Sequence, residues 1–177
     1  MKEKMKGMIY FSPGNIELGD FPISDPGPGE VLLKIRGATT CGTDLKTYLR
    51  GHSKIIPPTL FGHEMAGEIV KCGEGVTKFE PGMRVVPHNT APCGYCYYCK
   101  HHQENLCENL VYNFGAFAEY SVIPAQIVRQ NMYIIPDGVP FYEASLLEPL
   151  STVVHGQDLI NISLGESVAI FGAGPIG

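Results

Sequence analysis

Four of the six cysteines in this 177-residue chain lie within fifteen consecutive residues. They are Cys93, Cys96, Cys99 and Cys107, in the spacing C-x2-C-x2-C-x7-C. Four thiolates this close along a chain can surround one Zn²⁺ as a tetrahedron, each about 2.3 Å from the metal. An iron–sulfur cluster also takes four cysteines, although ferredoxin spacings differ from this one. We therefore predict a structural zinc lobe over about residues 88–112, closed to catalysis because it has no open coordination position.

The charge and hydropathy of the chain argue against several classes of partner. The formal net charge is −5, and lysines and arginines are scattered, so neither nucleic acid nor an anionic membrane surface is an expected partner. No stretch approaches the roughly 20 apolar residues of a membrane span, and the first ten residues contain no apolar signal-peptide segment. Because closely spaced metal thiolates suit a reducing compartment, we expect a cytoplasmic protein.

Short apolar or alternating runs bounded by glycine and proline predict a β-rich domain. The predicted strands are Met8 to Phe11, Val31 to Ile35, Gly67 to Val70, Arg84 to Val86, Phe117 to Ile123 and Tyr133 to Ile135. Turn sequences such as Pro81-Gly82 fall between them. The length allows one well-buried core. The predicted fold is mainly β with a few helices, arranged as a partly closed antiparallel barrel.

Two helices are predicted beside candidate metal ligands, at Thr43 to Leu49 and at Tyr142 to Gln157. A different architecture is predicted from about residue 160. There, the apolar run Ser167 to Phe171 predicts a strand, and a glycine-rich turn from Gly172 to Gly177 follows at once. A G-x-G-x-x-G turn after a strand is typical of the start of a dinucleotide-binding Rossmann domain.

A catalytic zinc needs about three protein ligands and an open position for water or substrate. Cysteine, histidine and carboxylate residues occur in three motifs that are well separated along the chain. The motifs are Cys41-Gly42-Thr43-Asp44, Gly62-His63-Glu64 and Glu148-Pro149-Leu150-Ser151. None of them is decisive alone, but each supplies a residue type that zinc accepts.

In order and spacing, these motifs, the cysteine lobe and the terminal glycines resemble the zinc-containing members of the medium-chain alcohol and polyol dehydrogenase family. The resemblance extends through Gly62-His63-Glu64-Met65-Ala66-Gly67, Gly73 and Val76, and through Gly115-Ala116-Phe117-Ala118-Glu119-Tyr120. It implies a GroES-like, partly open β-barrel catalytic domain over residues 1–157. It also implies that residues 158–177 are the truncated start of a Rossmann domain, namely its first strand and glycine-rich turn.

The resemblance further implies a role for each residue of the catalytic motifs. The implied ligands of a catalytic zinc are Cys41, His63, Glu148 and, as a nearby exchangeable ligand, Glu64. Thr43 would contact the substrate oxygen and pass its proton outward. Asp44 would orient the ring of His63. Together with the lobe, these residues lead us to expect two zinc ions per chain.

The implied reaction is hydride transfer between an alcohol or polyol and NAD or NADP, with zinc polarising the hydroxyl group. Glutamate rather than cysteine at Glu148 is similar to the sorbitol- and threonine-type branches of the family, and Glu-Pro-Leu-Ser favours polyols. Lys46 stands where many relatives have a histidine of the proton relay. A lysine whose pKa is lowered by burial could replace that histidine, and a solvated charge is the alternative.

The terminal glycines Gly172, Gly174 and Gly177 would let the backbone approach the pyrophosphate of the cofactor. The acidic residue that reads the ribose is expected about twenty positions later, so the choice between NAD and NADP stays open. We therefore expect this chain to be a fragment of a longer, dimeric or tetrameric dehydrogenase. Alone, it is expected to bind zinc but to turn over poorly.

A zinc-stabilised binding or structural module without catalysis is the alternative function. Metal stoichiometry distinguishes the two, since two zinc ions per chain favour the dehydrogenase and one favours the module. A nucleic-acid-binding zinc ribbon fits neither the charge nor the spacing. Among the other candidates, Cys72 is interpreted as a small core thiol, His52 and His88 as loop residues, and His155 as a packing residue of the second helix.

Overall fold

The computed structural model describes residues 4–160 and 162–177. Its strands, in chain order, are β1 (Lys4–Ser12), β2 (Asn15–Pro22), β3 (Val31–Thr39), β4 (Thr59–Leu60), β5 (Glu64–Cys72), β6 (Arg84–Pro87), β7 (Thr90–Ala91), β8 (Val111–Tyr112), β9 (Tyr120–Ile123) and β10 (Met132–Ile134). The helices are α1 (Gly42–Arg50), α2 (Tyr97–Lys100), α3 (Ala125–Gln130), α4 (Phe141–Ala144) and α5 (Leu147–Ile160), with a 3-10 turn at Glu104–Leu106.

Two antiparallel sheets make up the barrel. The larger sheet has the strand order β10-β6-β5-β3-β9, and the smaller has the order β2-β1-β4. A bridge between Gly7 in β1 and Ala118, just before β9, joins one sheet to the other. The prediction of a mainly β, partly closed antiparallel barrel is therefore confirmed.

The core lies against the central strands of the larger sheet. Val31 and Leu33 of β3, Ile69 of β5 and Ile123 of β9 are each at most 1% exposed, and Ile127 of α3 closes the same cluster. Fully burying an aliphatic side chain of this size stabilises a fold by about 1.5–3 kcal/mol. These strands therefore hold the residues at their ends in fixed positions.

The six predicted strands all overlap observed ones, although β9 begins only at Tyr120 and β10 ends at Ile134. The hairpin strand β2 was missed because its side chains are mostly exposed or half-buried and its apolar alternation is weak. The short strands β4, β7 and β8 were also missed, since two residues are too few to carry a period.

The helix predicted at Thr43 to Leu49 is confirmed as α1. The single helix predicted from Tyr142 to Gln157 is wrong, because the structure has two helices that are separated at Ser145 and Leu146. Pro149 explains the break. Its ring would clash with the carbonyl of Ser145 in a continuous helix, whereas in the first turn of α5 its missing N–H is not needed.

The strand predicted at Ser167 to Phe171 is not observed, and residues 162–177 contain neither helix nor strand. Phe171 is 99% exposed. A strand is stable only where its backbone groups pair with a neighbour, and none of β1 to β10 pairs with this segment. Among the described residues, no helix has the length and hydropathy that are needed to cross a membrane.

Candidate metal centres

Cys41 lies at the N-cap of α1, where the chain turns from β3 into the helix. Its backbone is extended, and its sulfur accepts a hydrogen bond from the N–H of Thr43 at 3.4 Å. The Asp44 carboxylate bonds back to the N–H of Cys41 at 2.9 Å. These reciprocal bonds are the capping-box arrangement, with a thiol in place of the usual hydroxyl. They fix the position of the Cys41 sulfur.

Asp44 also orients His63, which is 4% exposed. One oxygen of the buried Asp44 carboxylate is 3.1 Å from Nδ1 of His63, which leaves Nε2 of the ring available to a ligand. Burial alone would lower the pKa of His63, but the hydrogen bond and charge of Asp44, aided by Cys41, raise it to about 9. The arrangement therefore favours positive charge at this point, whether a proton or a metal ion carries it.

Glu64 follows His63 and begins β5, where it pairs in register with Thr39 of β3. The Thr39 hydroxyl donates a hydrogen bond of 2.5 Å to one carboxylate oxygen of Glu64, which is only 3% exposed. A buried carboxylate is costly unless its charge is compensated. A single neutral hydroxyl compensates it only in part, so a cation would suit the remaining oxygen.

The sulfur of Cys41, a ring nitrogen of His63 and a carboxylate oxygen of Glu64 all lie within 4.8 Å of one another. We call these three residues the mixed-ligand group. A thiolate, an imidazole and a carboxylate form a donor set that Zn²⁺ accepts, and three protein ligands leave a fourth position open. The residues present thus fit the zinc ion expected from the sequence.

Glu148 lies on α5 and is not a member of this group. Its carboxylate oxygen Oε1 is 3.5 Å from the side-chain amide of Asn89, which is the long limit of a hydrogen bond. The sequence prediction of Glu148 as a fixed ligand thus remains a prediction. In this structure, Glu64 lies with Cys41 and His63, whereas the Glu148 carboxylate lies against Asn89.

His88 is a residue of this region that the sequence did not single out for a role. It follows β6 and is half-buried, with Nδ1 accepting a hydrogen bond from the N–H of Thr90 at 3.1 Å. Its Nε2 is 3.2 Å from the hydroxyl of Ser151 on α5. Burial lowers the pKa of His88. The negative charge of Glu148 partly offsets this lowering, and the charge of His63 lowers the pKa further. His88 is therefore within electrostatic range of both groups.

The other predicted catalytic and cofactor residues are more exposed. Thr43 is half-buried in the first turn of α1, next to Cys41, whereas Lys46 on the same helix is exposed. Gly172, Gly174 and Gly177 are exposed, in a segment without regular structure. His155 is exposed on α5, so the packing role predicted for it is not observed. An open, mostly apolar cleft of about 570 Å³ borders Cys41 and includes Leu45 and Phe61.

The second centre is the four-cysteine lobe. The lobe begins and ends on the short β7–β8 ribbon, so its two ends are held together. The sulfur–sulfur distances are 3.4 Å for Cys96–Cys99, 3.9 Å for Cys93–Cys99 and 3.9 Å for Cys96–Cys107. A tetrahedron with metal–sulfur bonds of about 2.3 Å has edges of about 3.8 Å. A disulfide would need about 2.05 Å, so the lobe has the geometry of a four-thiolate metal site.

The protonation of these thiols depends on their hydrogen bonds and burial. Burial opposes ionisation of Cys93, but the backbone N–H groups of Tyr95 and Cys96 outweigh it and lower the pKa of the thiol to about 6. Burial, reinforced by neighbouring thiols, raises the pKa of Cys99 to about 12. A central dication would allow all four thiols to ionise together.

Comparison with known proteins places the fold in one family. The sequence profile described as "Alcohol dehydrogenase GroES-like domain" matches residues 27–137. An L-threonine 3-dehydrogenase of Pyrococcus horikoshii is 42% identical over 185 aligned positions, which cover 100% of this chain and 52% of that protein. The chain thus spans about half the length of the curated relatives it matches.

Solved structures agree with this relationship. The 2R,3R-butanediol dehydrogenase of Bacillus subtilis superposes with a TM-score of 0.84 at 27% identity, covering 97% of this chain and 52% of that one. A protein of Sinorhizobium meliloti, assigned as a zinc-binding dehydrogenase and solved with NADP, gives a TM-score of 0.80 at 34% identity. The second superposition covers 89% of this chain and 46% of that one.

Proposed function

This chain belongs to the family of alcohol dehydrogenase GroES-like domains, and from that premise we propose that it is the zinc-binding catalytic part of a nicotinamide-linked dehydrogenase for secondary alcohols or polyols. The observation that carries the proposal is the buried mixed-ligand group of Cys41, His63 and Glu64, with the Asp44 carboxylate behind the histidine. A purely structural zinc site would be closed, whereas this group leaves a coordination position open.

The proposed resident metals are two zinc ions per chain. Cys41, His63 and Glu64 would hold the catalytic ion, with Glu148, whose charge acts on His88 together with that of His63, as a further carboxylate ligand. Bound there, zinc would polarise the substrate hydroxyl and lower its pKa. Cys93, Cys96, Cys99 and Cys107 would hold the second ion, which stabilises the lobe.

The protein residues would bind the alcohol and accept its proton. The Thr43 hydroxyl, in the turn that begins at Cys41, is proposed to receive the proton of the substrate hydroxyl while it releases its own proton outward to solvent. Asp44 would hold His63 in one orientation throughout, because both of its oxygens are already bonded. The apolar cleft beside Cys41 would receive the carbon chain and exclude water from it.

The names of the relatives support a narrower class of substrate for this proposal. Their names specify L-threonine and a 2R,3R-butanediol, which are both short molecules with a secondary hydroxyl group. We therefore propose a short secondary alcohol or polyol and either NAD or NADP as hydride acceptor, with the Gly172, Gly174 and Gly177 turn approaching the pyrophosphate. A homo-oligomer of the longer protein and a cytoplasmic location are part of the same proposal.

Metal content tests the proposal directly. The purified chain should contain two zinc ions by elemental analysis, one lost in Cys41→Ser or His63→Ala and the other in Cys93→Ser or Cys96→Ser. A single ion that persists in His63→Ala would instead support the alternative, a zinc-stabilised module without chemistry. Matched assays with L-threonine, 2,3-butanediol and sorbitol, each with NAD or NADP, on the longer protein then test the reaction.

A further inference from the structure

Ser151 ties the first turn of α5 to the loop that follows β6. Its hydroxyl donates a hydrogen bond of 2.7 Å to the backbone carbonyl of Glu148 and lies 3.2 Å from Nε2 of His88. Nδ1 of His88 accepts the N–H of Thr90, so the ring proton is left on Nε2 and points to Ser151. This chain of bonds fixes the backbone at Glu148.

Asn89 acts on the side chain of the same residue. Its amide nitrogen is 3.5 Å from Oε1 of Glu148, while its backbone carbonyl accepts the N–H of Asn113 at 2.8 Å. The second bond extends the β7–β8 ribbon by one pair and so holds the backbone of Asn89 in place. The amide therefore holds the carboxylate from a fixed point, and the carboxylate lies outside the mixed-ligand group.

We propose that His88, Asn89 and Ser151 form a clamp that holds Glu148 beside the mixed-ligand group and limits how often its carboxylate reaches the metal. The inference rests on the proposed function, since it needs a metal at Cys41 and His63. None of the three clamp residues touches that metal in the proposal. They are positioning residues that act through Glu148.

The clamp explains why the structure brings Glu64 rather than Glu148 to Cys41 and His63. Glu64 is held by its place in β5 and by the hydrogen bond from the Thr39 hydroxyl. The carboxylate of Glu148, in contrast, accepts a hydrogen bond from the Asn89 amide, which competes with the metal for that carboxylate. At 3.5 Å the Asn89–Glu148 contact is at the long limit of a hydrogen bond, so it is weaker than a hydrogen bond to a charged group at good geometry. Such a bond can be exchanged for metal coordination without unfolding α5.

The test uses Co²⁺ in place of zinc, because its visible absorption reports the number of ligands. Asn89→Ala should bind Co²⁺ at the mixed-ligand group about three- to ten-fold more tightly. Its d–d bands should weaken, because absorption intensity falls when a carboxylate is added to a four-coordinate site. Subtracting the spectrum of each variant's His63→Ala counterpart removes the contribution of cobalt in the four-cysteine lobe.

The decisive comparison is made in a chain that already carries Glu148→Gln. In that background Asn89→Ala should change neither the affinity nor the spectrum, because the carboxylate that it releases is gone. Ser151→Ala is a second variant, and its effect should be smaller and should vanish in the same way. Asn15→Ala, an exposed asparagine in β2, controls for the loss of an amide, and thermal melts check that each variant folds.

Two results would overturn the inference while leaving the proposed function intact. One is an unchanged cobalt affinity and spectrum in Asn89→Ala, and the other is a change that persists in Glu148→Gln. If the cobalt spectrum of His63→Ala is the same as that of the unmodified chain, no metal binds the mixed-ligand group. That result would overturn the proposed function and this inference with it.

Discussion

Asp44 is the residue on which the geometry of the mixed-ligand group most depends. One of its oxygens accepts the N–H of Cys41 and the other contacts the ring of His63, so a single carboxylate fixes two of the three ligands. Its place three residues after an N-cap could be predicted from the sequence. Its contact with His63, nineteen residues away, was implied by the family resemblance rather than by the local pattern, and the structure brings the two side chains to 3.1 Å.

Asp44→Asn should weaken zinc binding at the mixed-ligand group by about 10- to 100-fold, the range found when partners of metal-bound histidines are removed. The amide keeps the shape of the side chain but has only one acceptor oxygen for two donors. Competition with a chromophoric chelator measures the affinity. Asp25→Asn, in an exposed ion pair with Lys71, is the matched control, and equal affinities in the two variants would contradict the prediction.

His88 should make the folded chain less stable as the pH falls. Because burial lowers the pKa of His88 in the folded state, the unfolded chain binds the proton first, below its ordinary pKa of about 6.5. The stability contributed by neutral His88 is thus present above about pH 6.5 and is lost at lower pH.

His88→Asn should therefore lose less stability than the unmodified chain between about pH 7.5 and pH 5. Asparagine keeps an acceptor for the N–H of Thr90 but does not titrate. Urea unfolding at both pH values measures the difference, with His155→Asn on the exposed side of α5 as control. Parallel pH profiles for His88→Asn and the unmodified chain would refute this assignment.

The elements of the barrel were predicted to different degrees. The central strands and α1 have strong hydrophobic patterns, and the structure confirms them. The break between α4 and α5 depends on the steric effect of Pro149 on Ser145, which a count of apolar residues does not register. The segment Ser167 to Phe171 has the composition of a strand, but no strand among the described residues pairs with it.

Gly73, just after β5, allows two turns to pack together. A Cβ atom at Gly73 would lie 1.8 Å from the carbonyl oxygen of Gly27, and the N–H of Gly73 donates to Glu30 at 2.8 Å. The close approach joins the end of β5 to the turn before β3. The resemblance to the dehydrogenase family included Gly73 as a sequence signature, and the structure gives its physical reason.

Gly73→Ala should destabilise the chain by about 3 kcal/mol, because the contact is with backbone and neither turn can yield without losing hydrogen bonds. Gly75→Ala, in the same turn, has a φ of +81° but no atom within 4 Å of the added Cβ. It should cost only about 1 kcal/mol. Equilibrium urea unfolding compares the two, and a smaller loss for Gly73→Ala would show that the turn can rearrange.

At the scale of the whole molecule, the four-cysteine lobe and the barrel differ in what stabilises them. The barrel has an extensive aliphatic core, whereas the buried cluster of the lobe consists of three cysteines, with the half-buried Cys93, Tyr98 and Leu110 beside them. So small a cluster cannot offset the entropy of ordering the intervening chain. The lobe is therefore the part of the molecule whose folding we expect to depend on a metal.

Removal of zinc with a strong chelator should unfold the lobe while the barrel remains folded. Limited proteolysis should then cut within residues 93–107, and far-ultraviolet circular dichroism should keep its β-sheet signal. Cys96→Ser should be cut in the same way without chelator. His63→Ala should be as resistant as the unmodified chain, since its missing metal lies elsewhere. Cleavage inside β3 or β5 at the same rate would show that the two parts unfold together.

The sequence by itself determined the ligand types, the four-cysteine spacing and the barrel class, because these depend on local composition and on short-range periodicity. The family resemblance implied that Cys41, His63, Glu64 and Glu148 meet at one zinc, and only the tertiary structure decided how these distant residues are arranged. It grouped Glu64 with Cys41 and His63, placed the Glu148 carboxylate against Asn89, and bonded the ring of His88 to Ser151 and Thr90. The physical reason is that β-sheet register and helix packing join residues many positions apart, and no pattern along the chain encodes those distances.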